Sequence, residues 1–100
     1  MVKHIILWNL KEEFDEDGKK EIKKGIKENL EGLKGKIPGL LEIKVITDYL
    51  ESSNVDVMLD SSFESEEALK NYAVHPDHVF VADNFVRPYT AKRSCIDFEI

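Results

Sequence analysis

The N-terminal segment constrains the fold more than any other part of the chain. The run from Val2 to Trp8 is rich in β-branched and aromatic residues, which favours a strand. Since side chains alternate along a strand, one face of it carries Val2, His4, Ile6 and Trp8. The other face carries Ile5 and Leu7, so both faces are largely apolar. In an α+β domain helices cover one face, and the second face then needs a further layer, such as a partner's sheet.

The length and the net charge of the chain limit the number of domains and the kind of partner. A chain of 100 residues fits a single domain, 1–100. Such a domain buries only about 60 to 65% of its unfolded surface, so pairing with a second copy would add useful burial. The 20 acidic and 14 basic residues give a net charge of -6, which repels phosphate backbones. We therefore expect a homodimer and no nucleic acid as partner.

The N-terminal run and the cysteine content predict a cellular location. The run Val2 to Leu10 is interrupted by polar residues and is too short for a signal segment or a membrane span. The lone Cys95 cannot form an internal disulfide, which fits a reducing compartment. We expect a cytoplasmic protein without membrane association.

Apolar periodicity predicts a first helix over about Asp15 to Lys36. Spacings of four, four and three residues place four apolar side chains on one face of this helix: Ile22, Ile26, Leu30 and Leu33. Asp15 or Asp17 can cap its beginning, and a glycine and proline cluster from Gly32 to Gly39 ends it. Its many lysines and glutamates are a solvated face with no assigned role.

The remaining pattern predicts a hairpin, a second helix and a last strand. A second strand runs to about Tyr49 and turns its apolar side chains to one face, namely Leu41, Ile43 and Val45. The third strand does the same with Val55, Val57, Leu59 and Phe63. Ser65 caps a second helix, which carries Leu69, Tyr72 and Ala73 on one face and ends near His75 because Pro76 follows. The segment up to Pro88 fits either a short helix or a loop. The last strand alternates at Ser94, Ile96, Phe98 and Ile100.

This order, β-α-β-β-α-β, is that of a ferredoxin-like α+β fold with a four-stranded antiparallel sheet. The fold serves many functions, so it does not define the chemistry. RNA-recognition domains of this fold need exposed aromatic residues and basic charge on the third strand. Here that strand reads Val55 to Asp60 and has neither, which argues against RNA binding.

Three segments resemble the stress-responsive A/B barrel family, a group of dimeric ferredoxin-like proteins of bacteria and plants. The first is Val2 to Leu7, and the second, Lys36 to Gly39, precedes the second strand. The third reproduces the family's phenylalanine, serine, helix, tyrosine and His-Pro-x-His pattern with Phe63, Ser65, Glu67, Ala68, Leu69, Tyr72, His75, Pro76 and His78. The resemblance spans nearly the whole chain. It implies a homodimeric α/β barrel in which two sheets pack face to face, often with the last strand reaching across.

One plant member of the family, a polyketide cyclase, offers a chemical guide. It closes a ring by intramolecular aldol chemistry with a tyrosine and a histidine of this motif, and the resemblance places Tyr72 and His78 there. An imidazole with a pKa near ~6.5 can take a proton α to a carbonyl, while a phenol donates or orients. His4 matches a histidine that lines the cyclase pocket. This chain replaces two other cyclase residues, a strand-three histidine and a helix-one tyrosine, by Val57 and by Ile26 or Lys27.

These residues define one candidate site and one weaker alternative. Aromatic walls with few polar groups characterise small-molecule pockets, so we expect a cavity between sheet and helices. The catalytic pair is His78 and Tyr72, and the ligand-binding residues are His4, Ile6, Trp8 and His75. His75 and His78 with Asp77 could instead hold a metal ion, but such close donors around a proline rarely converge. We therefore expect no metal and no cofactor. A structural interpretation also stands for each: a helix-ending His75, a hydrogen-bonded His78, and Tyr72, Trp8 and His4 as core residues.

Two functions of different classes follow. The first is a homodimer that binds a small hydrophobic or aromatic molecule, and the family name implies a connection of its physiological role to stress. The second is a cofactor-independent enzyme, a cyclase or isomerase acting on a β-keto or aromatic substrate, with His78 as general base and Tyr72 as donor. A cofactor-independent monooxygenase is a third reading that no motif singles out.

Overall fold

A computed structural model describes all 100 residues and shows an antiparallel sheet with helices on one face. The chain forms β1 (Val2–Leu10), α1 (Glu16–Glu31), β2 (Leu40–Ile46), β3 (Val57–Phe63), α2 (Glu66–Val74), α3 (Pro76–Val81), a π-helical turn (Ala82–Val86), a 3-10 turn (Arg87–Tyr89) and β4 (Thr90–Glu99). The strand order is β2-β3-β1-β4, and every neighbouring pair is antiparallel. This is the ferredoxin-like α+β fold that the sequence predicts.

Local signals set the helix ends. Asp15 is the cap of α1, and its side chain accepts a hydrogen bond from the Gly18 N–H at 2.7 Å. The prediction that α1 continues to Lys36 is wrong, since the helix ends at Glu31 and the chain enters turns at Gly32. Gly32 still has helical backbone angles, whereas Gly35 has φ +84°, a conformation that glycine adopts without a steric penalty and that turns the chain away from the helix axis. Ser65 caps α2 as predicted, accepting from the Ala68 N–H at 3.1 Å.

The segment left open between helix and loop is helical. His75 ends α2 and at the same time begins α3, with Pro76 in the first turn. Proline suits this position because its fixed φ fits a helix and its missing N–H is not needed there. The π-helical and 3-10 turns then carry the chain back to the sheet.

The first and last residues of the strands are set by hydrogen-bonded pairing with neighbouring strands more than by the alternation of apolar and polar residues. β4 begins at Thr90, four residues before the predicted Ser94, because it pairs with β1 as far as Leu10. β2 stops at Ile46 and not near Tyr49, while β3 starts at Val57 and not at Val55.

The start of β2 carries an irregularity that reverses one predicted orientation. A register shift between Leu40 and Glu42 buries Leu40 and leaves Leu41 39% exposed, so the expectation that Leu41 points inward is wrong. The preceding Gly39 has φ +83°, and a Cβ there would lie 2.5 Å from the Cβ of Ala68. Glycine is required at this turn, both for its backbone and for the close approach of α2.

The core lies between the sheet and the helices. β1 turns its even-numbered residues toward the helices, and all five are buried, namely Val2, His4, Ile6, Trp8 and Leu10. Ile26 and Leu30 of α1, together with Leu59 and Phe63 of β3, complete this core. None of the helices has the length and apolar content that crossing a bilayer requires.

The opposite face of the sheet, here called the open face, has no helix over it. Ile5 and Leu7 of β1 are half-buried there among their strand neighbours. Ile96, which pairs with Ile5, is 59% exposed, and Phe98, which pairs with Lys3, is 38% exposed. The chain alone therefore leaves an apolar sheet surface uncovered, as the two-sided character of the first strand predicts.

Candidate functional site

A cavity of about 100 Å³ lies between the sheet and the helices. Its walls come from every layer of the fold: Ile6, Trp8, Leu30, Leu59, Tyr72, His78, Ala82, Val86, Arg87, Thr90 and Arg93. Four of the predicted site residues, Ile6, Trp8, Tyr72 and His78, are thus brought together around one cavity, which opens to solvent beside the exposed Arg87 and Arg93. The remaining two, His4 and His75, lie elsewhere.

Tyr72 is the least solvated polar side chain of the cavity. It projects from α2, is 1% exposed, and its hydroxyl has no hydrogen-bond partner. Its ring lies 4.9 Å from that of Phe63 and 4.2 Å from that of His78, measured between centroids. Burial raises the pKa of Tyr72 far above its ordinary value of 10.0, so the phenol stays protonated. It therefore offers one O–H donor to whatever enters the cavity.

His78 is held by the backbone of the preceding helix. Its Nδ1 lies 3.2 Å from the carbonyl oxygen of Ala73, which can only accept, so Nδ1 carries the proton. Burial lowers the pKa of His78 below its ordinary 6.5, and the positive charge of Arg87 and Arg93 lowers it further. The ring is therefore neutral at pH 7, and its Nε2 keeps a lone pair available to accept a proton.

His4 lies on the helix side of the sheet, as expected, but lines a different hollow. This is an open groove of about 610 Å³ between α2 and β4, whose lining also includes Leu69, Lys70, Ala73, Arg93, Cys95 and Asp97. The His4 ring is 7% exposed, and its centroid lies 6.2 Å from that of Tyr72. Its Nδ1 contacts the Asp97 carboxylate across the two strands. The layer of Tyr72 and Phe63 thus separates His4 from His78.

His75 lines neither the cavity nor the groove. Its Nδ1 accepts a hydrogen bond from the Asp77 N–H at 3.1 Å and so caps α3. The sequence interpretation of His75 as a helix-ending residue bound to backbone describes this geometry. A ligand-binding role for His75 has no support in its position.

Several lining residues were not singled out from the sequence. Arg87 and Arg93 contribute to the cavity wall, and Arg93 also lines the groove. Arg87 forms an ion pair with Asp83, whereas no carboxylate pairs with Arg93. Strand alternation is the sequence signal that could have identified Arg93. Arg93 is paired with Trp8 and therefore lies on the same face of the sheet as Trp8. Without the strand pairing, alternation does not say which face of β4 meets the helices.

The fold and the aromatic-lined cavity define an α+β protein of the ferredoxin-like type with a small pocket between sheet and helices. The chain belongs to the stress-responsive A/B barrel domain family, whose model matches residues 2–100. A comparison with curated proteins found no match.

Solved structures similar to this chain include a protein of unknown function, a further plant protein and enzymes. A dimeric protein of unknown function and ferredoxin-like fold from Bacteroides fragilis is 29% identical, with a TM-score of 0.92 over 99% of this chain and 95% of that one. At3g17210 from Arabidopsis thaliana is 27% identical, with a TM-score of 0.75 over 100% and 95%. A hydroxynitrile lyase from Passiflora edulis is 20% identical, with a TM-score of 0.79 over 99% and 92%. This last likeness is one of fold.

Proposed function

We propose that the protein is a homodimer that binds a small aromatic molecule carrying a hydrogen-bond acceptor in the cavity between sheet and helices. The observation that carries this proposal is the buried Tyr72 hydroxyl without a partner on the cavity wall. A buried polar group left unpaired costs about 1 to 3 kcal/mol. A ligand oxygen that accepts from this hydroxyl would recover that free energy, which favours a bound molecule over an empty cavity.

The size and walls of the cavity favour a single ring. Its volume is about 100 Å³, less than the roughly 150 Å³ of an apolar cavity that holds benzene, so one ring is the upper limit, and its oxygen must point toward the open side. Ile6, Trp8 and Leu59 provide apolar contacts, while Tyr72 and His78 provide the few polar groups that orient a ligand. A phenol, with one ring and one oxygen, has the matching composition.

The open face supports the homodimer. It presents Ile5, Leu7, Ile96 and Phe98, and an apolar sheet surface of this kind normally lies against another layer. The Bacteroides fragilis protein of the same fold is described as dimeric. The free thiol of Cys95 fits a reducing compartment, and we place the dimer in the cytoplasm.

Phenol and toluene test the ligand proposal, because they share size and shape and differ in one hydroxyl. Each is added at low millimolar concentration, and binding is followed by two-dimensional amide NMR and by the melting temperature. We expect phenol to bind more tightly than toluene to the wild-type protein. Tyr72→Phe should remove this preference, because the donor on the cavity wall is gone.

Tyr49→Phe is the matched control, since Tyr49 is 48% exposed and does not line the cavity. It should keep the preference for phenol. Unchanged spectra with both probes, or the same preference in Tyr72→Phe as in the wild type, would reject ligand binding through Tyr72.

The state of His78 favours a second candidate, a cofactor-independent cyclase or isomerase acting on a β-keto substrate. The ring is neutral and its Nδ1 is held by Ala73, so Nε2 can take a proton from carbon α to a carbonyl. The Tyr72 O–H, whose pKa burial raises, would donate a hydrogen bond to the resulting enolate oxygen. The Passiflora edulis enzyme shows that this fold can carry catalysis.

Hydrogen-deuterium exchange at the central carbon of acetylacetone, followed by NMR, tests this candidate. The wild-type protein should accelerate exchange over buffer, His78→Ala should lose the acceleration, and Tyr72→Phe should keep part of it. Equal rates in the wild type and His78→Ala would leave binding as the function.

A further inference from the structure

A second cluster of reactive side chains lies at the edge of the sheet, outside the cavity. His4 of β1 is paired in register with Asp97 of β4, and Cys95 precedes Asp97 by two residues on the same face. One donor atom from each of the three residues lies within 4.8 Å of the other two. Neither proposed function uses Cys95 or Asp97.

We infer that His4, Cys95 and Asp97 form a binding site for Zn²⁺, with the fourth coordination position open to the groove between α2 and β4. The ligand atoms are Nδ1 of His4, Sγ of Cys95 and one carboxylate oxygen of Asp97. This site is separate from the Tyr72 and His78 cavity, and the inference does not depend on what that cavity binds.

The distances fit a tetrahedral zinc ion with little rearrangement. Cys95 Sγ lies 3.8 Å from His4 Nδ1 and 3.6 Å from the Asp97 oxygen. Ordinary zinc bond lengths place sulfur about 3.6 Å from a nitrogen or oxygen ligand of the same ion. Only the His4 and Asp97 atoms, now in direct contact, must separate to roughly 3.4 Å. Asp97 is 45% exposed in its side chain and free to make that movement.

The donor set selects the metal by its chemistry. Imidazole and thiolate favour zinc over magnesium or calcium, which prefer oxygen ligands only. A thiolate, a carboxylate and a neutral imidazole together balance the two charges of Zn²⁺. Binding replaces the thiol proton of Cys95, which passes to solvent, by a sulfur–zinc bond.

His4 is held rigidly before any ion arrives, and the other two ligands lie on β4, the strand paired with its own. The His4 ring is packed edge-on against Phe63 and Tyr72, both buried, at centroid distances of 6.2 Å. β1, which carries it, is hydrogen-bonded to strands on both sides. Ligands on paired strands keep their spacing better than ligands on loops, which lowers the cost of assembling the site.

The groove supplies room for an external ligand on the ion. His4, Cys95 and Asp97 all line it, so the side of the site that is free of protein ligands faces about 610 Å³ of open space. Lys70 and Arg93 lie on the same walls. A zinc-bound molecule with a carboxylate group would find positive charge beside the metal.

Cobalt(II) is a suitable probe, because a thiolate bound to it gives a sulfur-to-metal charge-transfer band in the near ultraviolet. The full-length protein is first freed of metal with a chelator and kept in a phosphine reductant. We expect one Co²⁺ per chain with a charge-transfer band and tetrahedral visible bands, and competition by one equivalent of Zn²⁺. Cys95→Ser should abolish the charge-transfer band and weaken Zn²⁺ binding by at least about tenfold.

Glu99→Gln is the matched control, because Glu99 is an exposed carboxylate on the same face of β4 and outside the donor set. It should bind Zn²⁺ like the wild type, whereas Asp97→Asn should bind more weakly. Circular dichroism confirms that each variant is folded, which Cys95→Ser at an exposed edge-strand position should be. No charge-transfer band in the wild type, or a zinc affinity equal in Cys95→Ser and Glu99→Gln, would overturn the inference. So would zinc binding that is lost in His75→Ala with His78→Ala but kept in Asp97→Asn.

Discussion

The two faces of the sheet differ in how completely one chain covers them. On the face toward the helices, Leu59 and Tyr72 are 1% exposed and Phe63 is 0% exposed. On the open face, Ile96 is 59% exposed although it belongs to the same sheet and pairs with β1. The difference teaches that folding of a single chain and assembly of the proposed dimer use different residues of the same strands. Substitutions on the two faces should therefore have separable effects.

The largest effect is expected at the centre of the covered face. Phe63→Ala should lower the free energy of unfolding by about 3 to 5 kcal/mol, because it leaves a cavity in a closed core. Phe98→Ala, its counterpart on the open face, should cost under about 1 kcal/mol when both variants are monomeric. Urea unfolding at low protein concentration measures both. Equal losses would show that the open face belongs to the folding core.

The next effect concerns assembly alone. Ile96→Asp should raise the dissociation constant of the dimer by about a hundredfold or more, equivalent to about 2.8 kcal/mol, because it buries an unpaired carboxylate in an apolar interface. Leu50→Asp, at a 78% exposed loop position, should leave the dimer intact. Analytical ultracentrifugation over a range of concentrations gives both constants. A wild-type monomer at micromolar concentration, or a dimer unaffected by Ile96→Asp, would disprove pairing through the open face.

Tyr72 allows a sharper test of the covered face, because it is the one residue there with an unpaired buried group. Tyr72→Phe should raise the free energy of unfolding of the ligand-free protein by about 1 kcal/mol, since the desolvation cost of the hydroxyl disappears. For a domain of this size that corresponds to a melting temperature higher by roughly 4 to 8 °C. Tyr49→Phe should change stability by less than about 0.5 kcal/mol. A destabilised Tyr72→Phe would mean that the hydroxyl has a partner in the folded protein.

The smallest expected effect is a dependence of stability on pH. The pKa of His78 is lowered in the folded chain, mainly by burial, so below pH 6.5 the unfolded chain binds more protons than the folded one. The contribution of His78 to stability is therefore complete above pH 6.5 and declines as the pH falls toward the folded-state pKa. Unfolding curves between pH 7 and pH 5 should show a shallower decline in His78→Gln than in the wild type. The same slope in both would mean that the folded protein does not hold this ring neutral.

The architecture could be predicted from the sequence because it depends on local signals, such as helix caps, and on the alternation of apolar and polar residues along single strands. Ser65 as a helix cap and Pro76 as the end of α2 depend on neighbouring residues only. The apolar character of both Ile5 and Ile6 predicted that apolar side chains lie on both faces of the sheet, one of them beyond the reach of the chain's own helices. Tyr72 and His78, which the family motif singles out, line one cavity together with Trp8.

What could not be predicted depends on pairing between distant segments. Arg93 and Asp97 reach the helix side of the sheet only through the register of β4 against β1, which joins the two ends of the chain. The same register moves His4 to the groove, away from the cavity expected for it. Leu41 was misplaced because a register shift inverts alternation without a mark in the sequence.

The π-helical turn from Ala82 to Val86 forms a part of the cavity wall that a change of one residue in length would alter. Such a turn holds one residue more than an α-helical turn, and Val86, its last residue, and Arg87, which follows it, line the cavity. Each residue corresponds to about 100° of rotation around a helix axis. Loss of a single residue from the turn would therefore swing both side chains away from the cavity while β1 and β3 kept their pairing. Evolution can thus reshape this space by insertion or deletion at one point, without rebuilding the strands beneath it.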